Sequence, residues 1–137
     1  MKRIVVMLIS ILFVLGLFTA CGGGGDDFPK PSDNVVVAED DFDSHGWKGK
    51  IAITFDGEKI SKVDFDEINK DGDRKSKDEA YAENMKPASG ITPAEAYEQL
   101  EKQLVEKQEV PDVDAVSGAT SSSERFIDLA KEALSKR

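Results

Sequence analysis

Apolar residues follow three patterns along this chain. Residues 4–18 form an apolar run broken only by Ser10 and Gly16. Between 47 and 65 the apolar positions alternate. Ile51, Ile53 and Phe55 fall on one face and Lys50, Ala52 and Thr54 on the other, which predicts a half-buried strand. Asp56-Gly57 follows at once, a strong hairpin signal, and residues 59–65 supply the partner strand. There Val63 and Phe65 share a face while Ile60 falls on the other, which predicts a bulge or a partly covered second face. Residues 66–69 extend this strand, and Val35-Val36-Val37 predict a short strand at the start of the fold.

Beyond residue 78 the period becomes helical. Residues 78–85 predict a short helix, broken by Pro87, Ser89 and Gly90. Thr92-Pro93-Ala94-Glu95 carries an N-cap, a proline at the first helical position and a capping-box glutamate. Tyr97, Leu100, Leu104 and Val105 make one stripe on the helix that follows, to about residue 108. Pro111 marks the loop beyond it. A last helix starts near Ser121 or Ser122, with Ser121-Ser122-Ser123-Glu124 reading as a second capping box. Its stripe is Phe126, Leu129, Ala130, Ala133 and Leu134. A hairpin followed by helices predicts an α+β fold: a small antiparallel sheet with the C-terminal helices packed on one face.

The first run is too short for a membrane span, which needs about 20 apolar residues. Met1-Lys2-Arg3 ahead of it and small residues behind it make residues 1–20 a signal peptide. Leu17-Phe18-Thr19-Ala20-Cys21 resembles a bacterial lipobox, in which the cysteine is acylated and becomes the mature N-terminus. Phe18 stands where Leu, Val or Ile is usual. Cys21 is the single cysteine, so no intramolecular disulfide forms, and acylation accounts for an otherwise unpaired exported thiol. The resemblance implies a lipid anchor at the extracytoplasmic face of the membrane. Four glycines, two aspartates and a Pro-rich stretch follow, a flexible spacer over residues 21–40. Residues 41–137 are left as the folded domain.

Composition narrows the function classes. Lys+Arg number 18 against 27 Asp+Glu, a net charge of -9, which argues against nucleic-acid partners. One His leaves little for a zinc site or His-based catalysis. The carboxylates of residues 39–43 lack the glycine turn and closing glutamate of an EF-hand loop and read as a solvated loop.

The chemistry concentrates in Asp114-Ala115-Val116-Ser117-Gly118-Ala119-Thr120 and the three serines after it. Gly118 and Ala119 expose backbone N–H groups; Ser117, Thr120, Ser121 and Ser122 add hydroxyls beside a helix start, where anions bind. No Walker lysine or dinucleotide glycine pattern is present. From the residues alone, a phosphate site and a plain glycine turn into a Ser-capped helix both fit.

The run "DAVSGATSSS" resembles the motif of the FMN-binding domain family. That family includes subunits C and G of bacterial sodium-pumping and related respiratory complexes and many extracytoplasmic lipoproteins. Asp114, Ser117, Gly118, Ala119 and Thr120 match each element of its pattern, and the hairpin, helix, motif order is also the family's. The resemblance implies FMN as cofactor, often joined by a phosphoester to the final threonine, here Thr120. A flavin transferase installs it from FAD with magnesium. It places the flavin loop between the last two helices, with Asp114, Ser117, Gly118, Ala119, Thr120, Ser121 and Ser122 as cofactor contacts. For the ring, Trp47 and Met85 are the contacts expected, with Phe42, His45 and Tyr81 as further candidates; Tyr97 reads as core. The implied function is an electron carrier without catalytic residues of its own. A flavin-free binding or signalling lipoprotein is the alternative.

Overall fold

The computed structural model describes residues 27–137. The signal run, Cys21 and the glycine tract lie outside the described residues. Strands β1 (Val35–Glu39), β2 (Lys48–Asp56) and β3 (Lys59–Ile68) form one antiparallel sheet in the order β1-β2-β3. Helices α1 (Glu79–Ser89), α2 (Pro93–Lys107) and α3 (Thr120–Leu134) follow. This is the α+β architecture that the alternation and the helical stripes imply.

The hairpin turns at Gly57, with φ 62°, as Asp56-Gly57 predicts. The bulge is present too. Thr54 pairs with Lys62 but Phe55 with Ile60, leaving Ser61 as the extra residue. That single insertion turns Ile60 back to the face of Val63 and Phe65, where all three are buried.

One face of the sheet carries the core. Helix α3 lies over β2 and β1, and α2 lies over β3. Ile51, Ile53 and Phe65 pack there with Leu100, Leu104 and Phe126, all essentially inaccessible to solvent. Each such side chain contributes about 1.5–3 kcal/mol. Phe65 is the centre, edge-on to Tyr97 at 5.0 Å and to Phe126 at 5.2 Å. Gly49 lets α3 approach: a Cβ there would meet Arg125 Cδ at 2.6 Å and Leu129 Cδ1 at 2.7 Å.

The other face is covered from the N-terminal side. Phe28 packs on Ala52 and Ile68, with the Arg74 guanidinium 3.8 Å from its ring centre. Residues in the segment read as spacer therefore contribute a buried aromatic and the edge strand β1 to the packed body.

Helix α2 starts as its sequence implies, with the Thr92–Glu95 capping box complete in both directions. It ends at Gln108, in the left-handed region at φ 64°. The Gln108 amide accepts from Ile60 N–H at 2.8 Å and donates to Ile60 O at 2.9 Å, tying the helix end to β3 beside the bulge.

Two local expectations are corrected. Pro87 does not break α1, which runs to Ser89 and closes on left-handed Gly90. The proline sits in the last turn, and Gly90 N–H still bonds to Lys86 O at 2.8 Å. Nor does the serine run form a capping box. Helix α3 begins one residue earlier, at Thr120, with Ala119 as an N-cap that offers no side-chain acceptor. Ser123 is fully buried instead. Its hydroxyl accepts from Val116 N–H at 2.9 Å and donates to Ala119 O at 2.7 Å.

Candidate functional site

The sequence between α2 and α3 folds as a tight, buttressed loop. Val113, Val116 and Ala119 point into the core at three-residue spacing, and the Ser123 hydroxyl closes the loop from inside. Gly118 takes φ +83° and packs directly on the Ser89 carbonyl at the end of α1. The outcome is a cleft of about 390 Å³ between α1, the loop and the first turn of α3. This is within the ~300–1,000 Å³ of small-molecule and cofactor sites.

The expected residues fall out as follows. Gly118, Ala119, Thr120, Ser121, Ser122 and Met85 line this cleft, as do His45 and Tyr81. Trp47 stands edge-on to Tyr81, ring centres 6.0 Å apart, and is not among the lining side chains. Ser117 is exposed in the turn beside Gly118. Asp114 turns the other way. Its carboxylate pairs with Lys107 at 3.3 Å, and its backbone N–H and C=O are both held by the Gln103 amide. Phe42 is 41% exposed, under the Lys48 ammonium. Tyr97 is core, with a hydroxyl that reaches the cleft floor.

That floor is a charge network the sequence reading did not anticipate. Glu67, 3% exposed, accepts from Lys75 Nζ at 2.6 Å, Tyr97 OH at 2.9 Å and Arg125 Nη1 at 2.9 Å, with Ser122 Oγ at 3.4 Å. Four donors from three segments meet on one carboxylate, so its burial is compensated. Arg125 also reaches Asp40 at 2.9 Å and Asp43 at 3.2 Å, fixing the loop ahead of β2 to α3. One signal was legible. Val63, Phe65 and Glu67 occupy successive inward positions of β3, and a glutamate on the apolar register announces a buried, partnered carboxylate. Lys75, in a polar loop, gave none.

The electrostatics follow from this wiring. Burial and the neighbouring Glu67 carboxylate push the Tyr97 hydroxyl far up, so it stays a donor. Burial opposes charge on Arg125, but Glu67 and Asp40 outweigh it and hold the guanidinium protonated. Burial alone would raise Asp43; the N–H groups of Trp47 and His45 and the Arg125 guanidinium hold it below the usual carboxylate range.

The cleft therefore offers two different ends. One is the uncapped start of α3, with hydroxyls from Thr120, Ser121 and Ser122 and the positive end of the helix dipole. The other is Tyr81 and Met85, backed by Trp47. A phosphate and a planar aromatic ring ask for those two environments, so the donor set fits FMN.

Comparison with known proteins agrees. The family model for the FMN-binding domain matches residues 46–135. A 15 kDa lipoprotein of Treponema pallidum (strain Nichols) is 39% identical over 104 residues, 76% of this chain and 74% of that protein. A Clostridium perfringens protein known from its crystal structure superposes with a TM-score of 0.72 at 39% identity, over 78% of this chain and 88% of the other. A Clostridium thermocellum protein solved by solution NMR gives 0.51 at 33% identity, over 77% and 92%. With the match spanning the hairpin, the cleft and all three helices, the chain belongs to the FMN-binding domain family, and its cofactor is FMN.

Proposed function

We propose that this protein is a lipid-anchored, extracytoplasmic electron carrier that holds FMN in the α1–α3 cleft, esterified through its phosphate to Thr120. The observation that carries this reading is the position of Thr120. It is the first residue of α3, exposed, on the cleft wall, at a helix start without a side-chain cap. Its hydroxyl is thus open to a flavin transferase, and a phosphate attached there meets free N–H groups and the helix dipole.

The charges explain why an ester is needed. Arg125 is already held by Asp40, Asp43 and Glu67, so a free phosphate finds little unspent positive charge and retention rests on the covalent link. Bound FMN supplies one- and two-electron transfer; the protein supplies geometry and electrostatics. The loop residues Ser117, Gly118 and Ala119 present the threonine, while the Ser121 hydroxyl and the N–H groups of Ser121 and Ser122 donate beside it. The T. pallidum relative, a lipoprotein by name, supports a lipid anchor here, for which Cys21 is the residue.

Intact mass of protein co-expressed with a flavin transferase tests this. The wild type gains one flavin phosphate and Thr120→Val gains none. A Thr120→Val protein that keeps acid-stable flavin moves the attachment elsewhere, and a flavin-free wild type removes the carrier role.

A further inference from the structure

We propose that Lys75 sets the reduction potential of the flavin: its ammonium, fixed by Glu67, donates to the carbonyl-bearing edge of the isoalloxazine ring. The inference rests on the flavin reading above and goes beyond it to a residue outside the motif. Lys75 opens the short 3-10 turn Lys75–Lys77 and lines the cleft with a side chain only 10% exposed. Lysines are almost never buried without a partner, and Glu67 is that partner at 2.6 Å.

An ammonium has three N–H donors. Glu67 takes one, and among the described residues no second acceptor is hydrogen-bonded to it. Its other neighbours are rings, Tyr81 at 4.5 Å and Trp47 at 5.2 Å from the nitrogen. A nearly buried cation thus keeps two donors unspent at a cofactor cleft. Leaving such donors unmet is costly, and a ligand acceptor meets them.

FMN brings two kinds of acceptor, its phosphate and the carbonyl oxygens of its ring. The Ser121 hydroxyl and the N–H groups of residues 120–122 serve the phosphate. Lys75, walled by aromatic side chains, suits the ring. Arg125 cannot substitute, because three carboxylates already hold it. Glu67 is the positioning residue. Tyr97 and Arg125 lock it in turn, so it keeps the ammonium in one place.

On reduction at neutral pH the ring takes up two electrons and one proton and is left with one negative charge. A fixed ammonium beside that charge favours the reduced form, one of the ways a protein tunes a flavin. The test titrates flavin-loaded wild type, Lys75→Met, Lys75→Gln and Lys75→Arg with dithionite, which supplies both electrons, against a reference dye. Lys75→Met and Lys75→Gln should lower the reduced-to-oxidised ratio about tenfold at a given potential, a shift of about 30 mV for a two-electron couple. Lys75→Arg should restore most of it. Lys75→Gln keeps a polar side chain, so the measurement stands even if Lys75→Met folds poorly.

A second arm uses Thr120→Val protein, without the ester link, and compares riboflavin with FMN. Adding Lys75→Gln should weaken both by the same factor. Unchanged potentials overturn the proposal, and so does weakening of FMN with riboflavin spared, which assigns Lys75 to the phosphate. Failure of the wild type itself to take up flavin overturns the underlying reading and this proposal together, and it is visible before any Lys75 variant is made.

Discussion

Gly118 packs against Ser89 so tightly that a Cβ on the glycine would collide with the serine's carbonyl oxygen. The contact joins the flavin-family loop to the end of α1, which has no fully buried residue of its own. Gly118 is also at φ +83°, where a side chain is strained. Gly118→Ala should therefore cost about 2–3 kcal/mol in urea unfolding and lower flavin incorporation. Gly57→Ala is the control. Gly57 has φ +62° with open space around it, so it isolates the backbone strain, at about 1 kcal/mol. Equal losses at the two sites would mean the Ser89 contact does not hold α1.

Ser123 shows how the loop is kept in shape. The hydroxyl is buried and satisfies Val116 N–H on one side and Ala119 O on the other. Ser123→Ala leaves that N–H buried and unpaired, at a cost of about 1–3 kcal/mol. Hydrogen exchange should quicken over residues 114–119 before it quickens in the sheet. Uniform quickening would place the serine in the global core rather than in the loop.

What the sequence made legible was what repeats. Alternation located β2, and the misplaced Ile60 located the bulge. The Thr92-Pro93-Glu95 signature located the start of α2, because local hydrogen bonds decide it. The serine run misled, since the same Ser-x-x-Glu spacing that makes a cap also lets Ser123 point inward. Burial against Val116 won, a tertiary effect no local pattern contains. The cleft floor was hidden for the same reason. Glu67, Lys75 and Arg125 lie up to 58 residues apart in the chain, and only the packing of α3 on the sheet and of the turn at Lys75 against β3 unites them.

Glu67 is the next test of that packing. Glu67→Ala removes the shared acceptor of Lys75, Tyr97 and Arg125, leaving a nearly buried ammonium with no acceptor. The expected loss is about 3–5 kcal/mol. Glu67→Gln keeps an oxygen acceptor and should lose less, about 1–2 kcal/mol. Arg125→Lys keeps a positive charge and leaves Glu67 with Lys75 and Tyr97 as donors, so it should be milder still. If Glu67→Ala and Glu67→Gln unfold at the same urea concentration, the carboxylate's charge rather than its hydrogen bonding is what matters.

Glu101 gives the fold a pH dependence of unusual sign. The half-buried carboxyl accepts from Phe65 N–H at 2.7 Å. Burial pushes it up to about 7, from 4.5 in the unfolded chain; the Phe65 hydrogen bond opposes the rise and the Asp64 and Asp66 carboxylates add to it. Between those two values the folded protein binds the proton more tightly than the unfolded one, so stability falls as pH rises through the window. The penalty is complete above about 7 and absent below 4.5. Glu101→Gln keeps the oxygen for Phe65 and cannot ionise. It should be more stable than the wild type at pH 8 by about 1–2 kcal/mol after solvent screening, with the difference shrinking towards pH 4.5. Asp66, also raised by burial, contributes to both proteins and cancels in the comparison. Asp27 and Asp43, held low, act below this window and with the opposite sign. Urea unfolding of both proteins at several pH values checks the prediction, and a difference that does not vary with pH would remove Glu101 as its source.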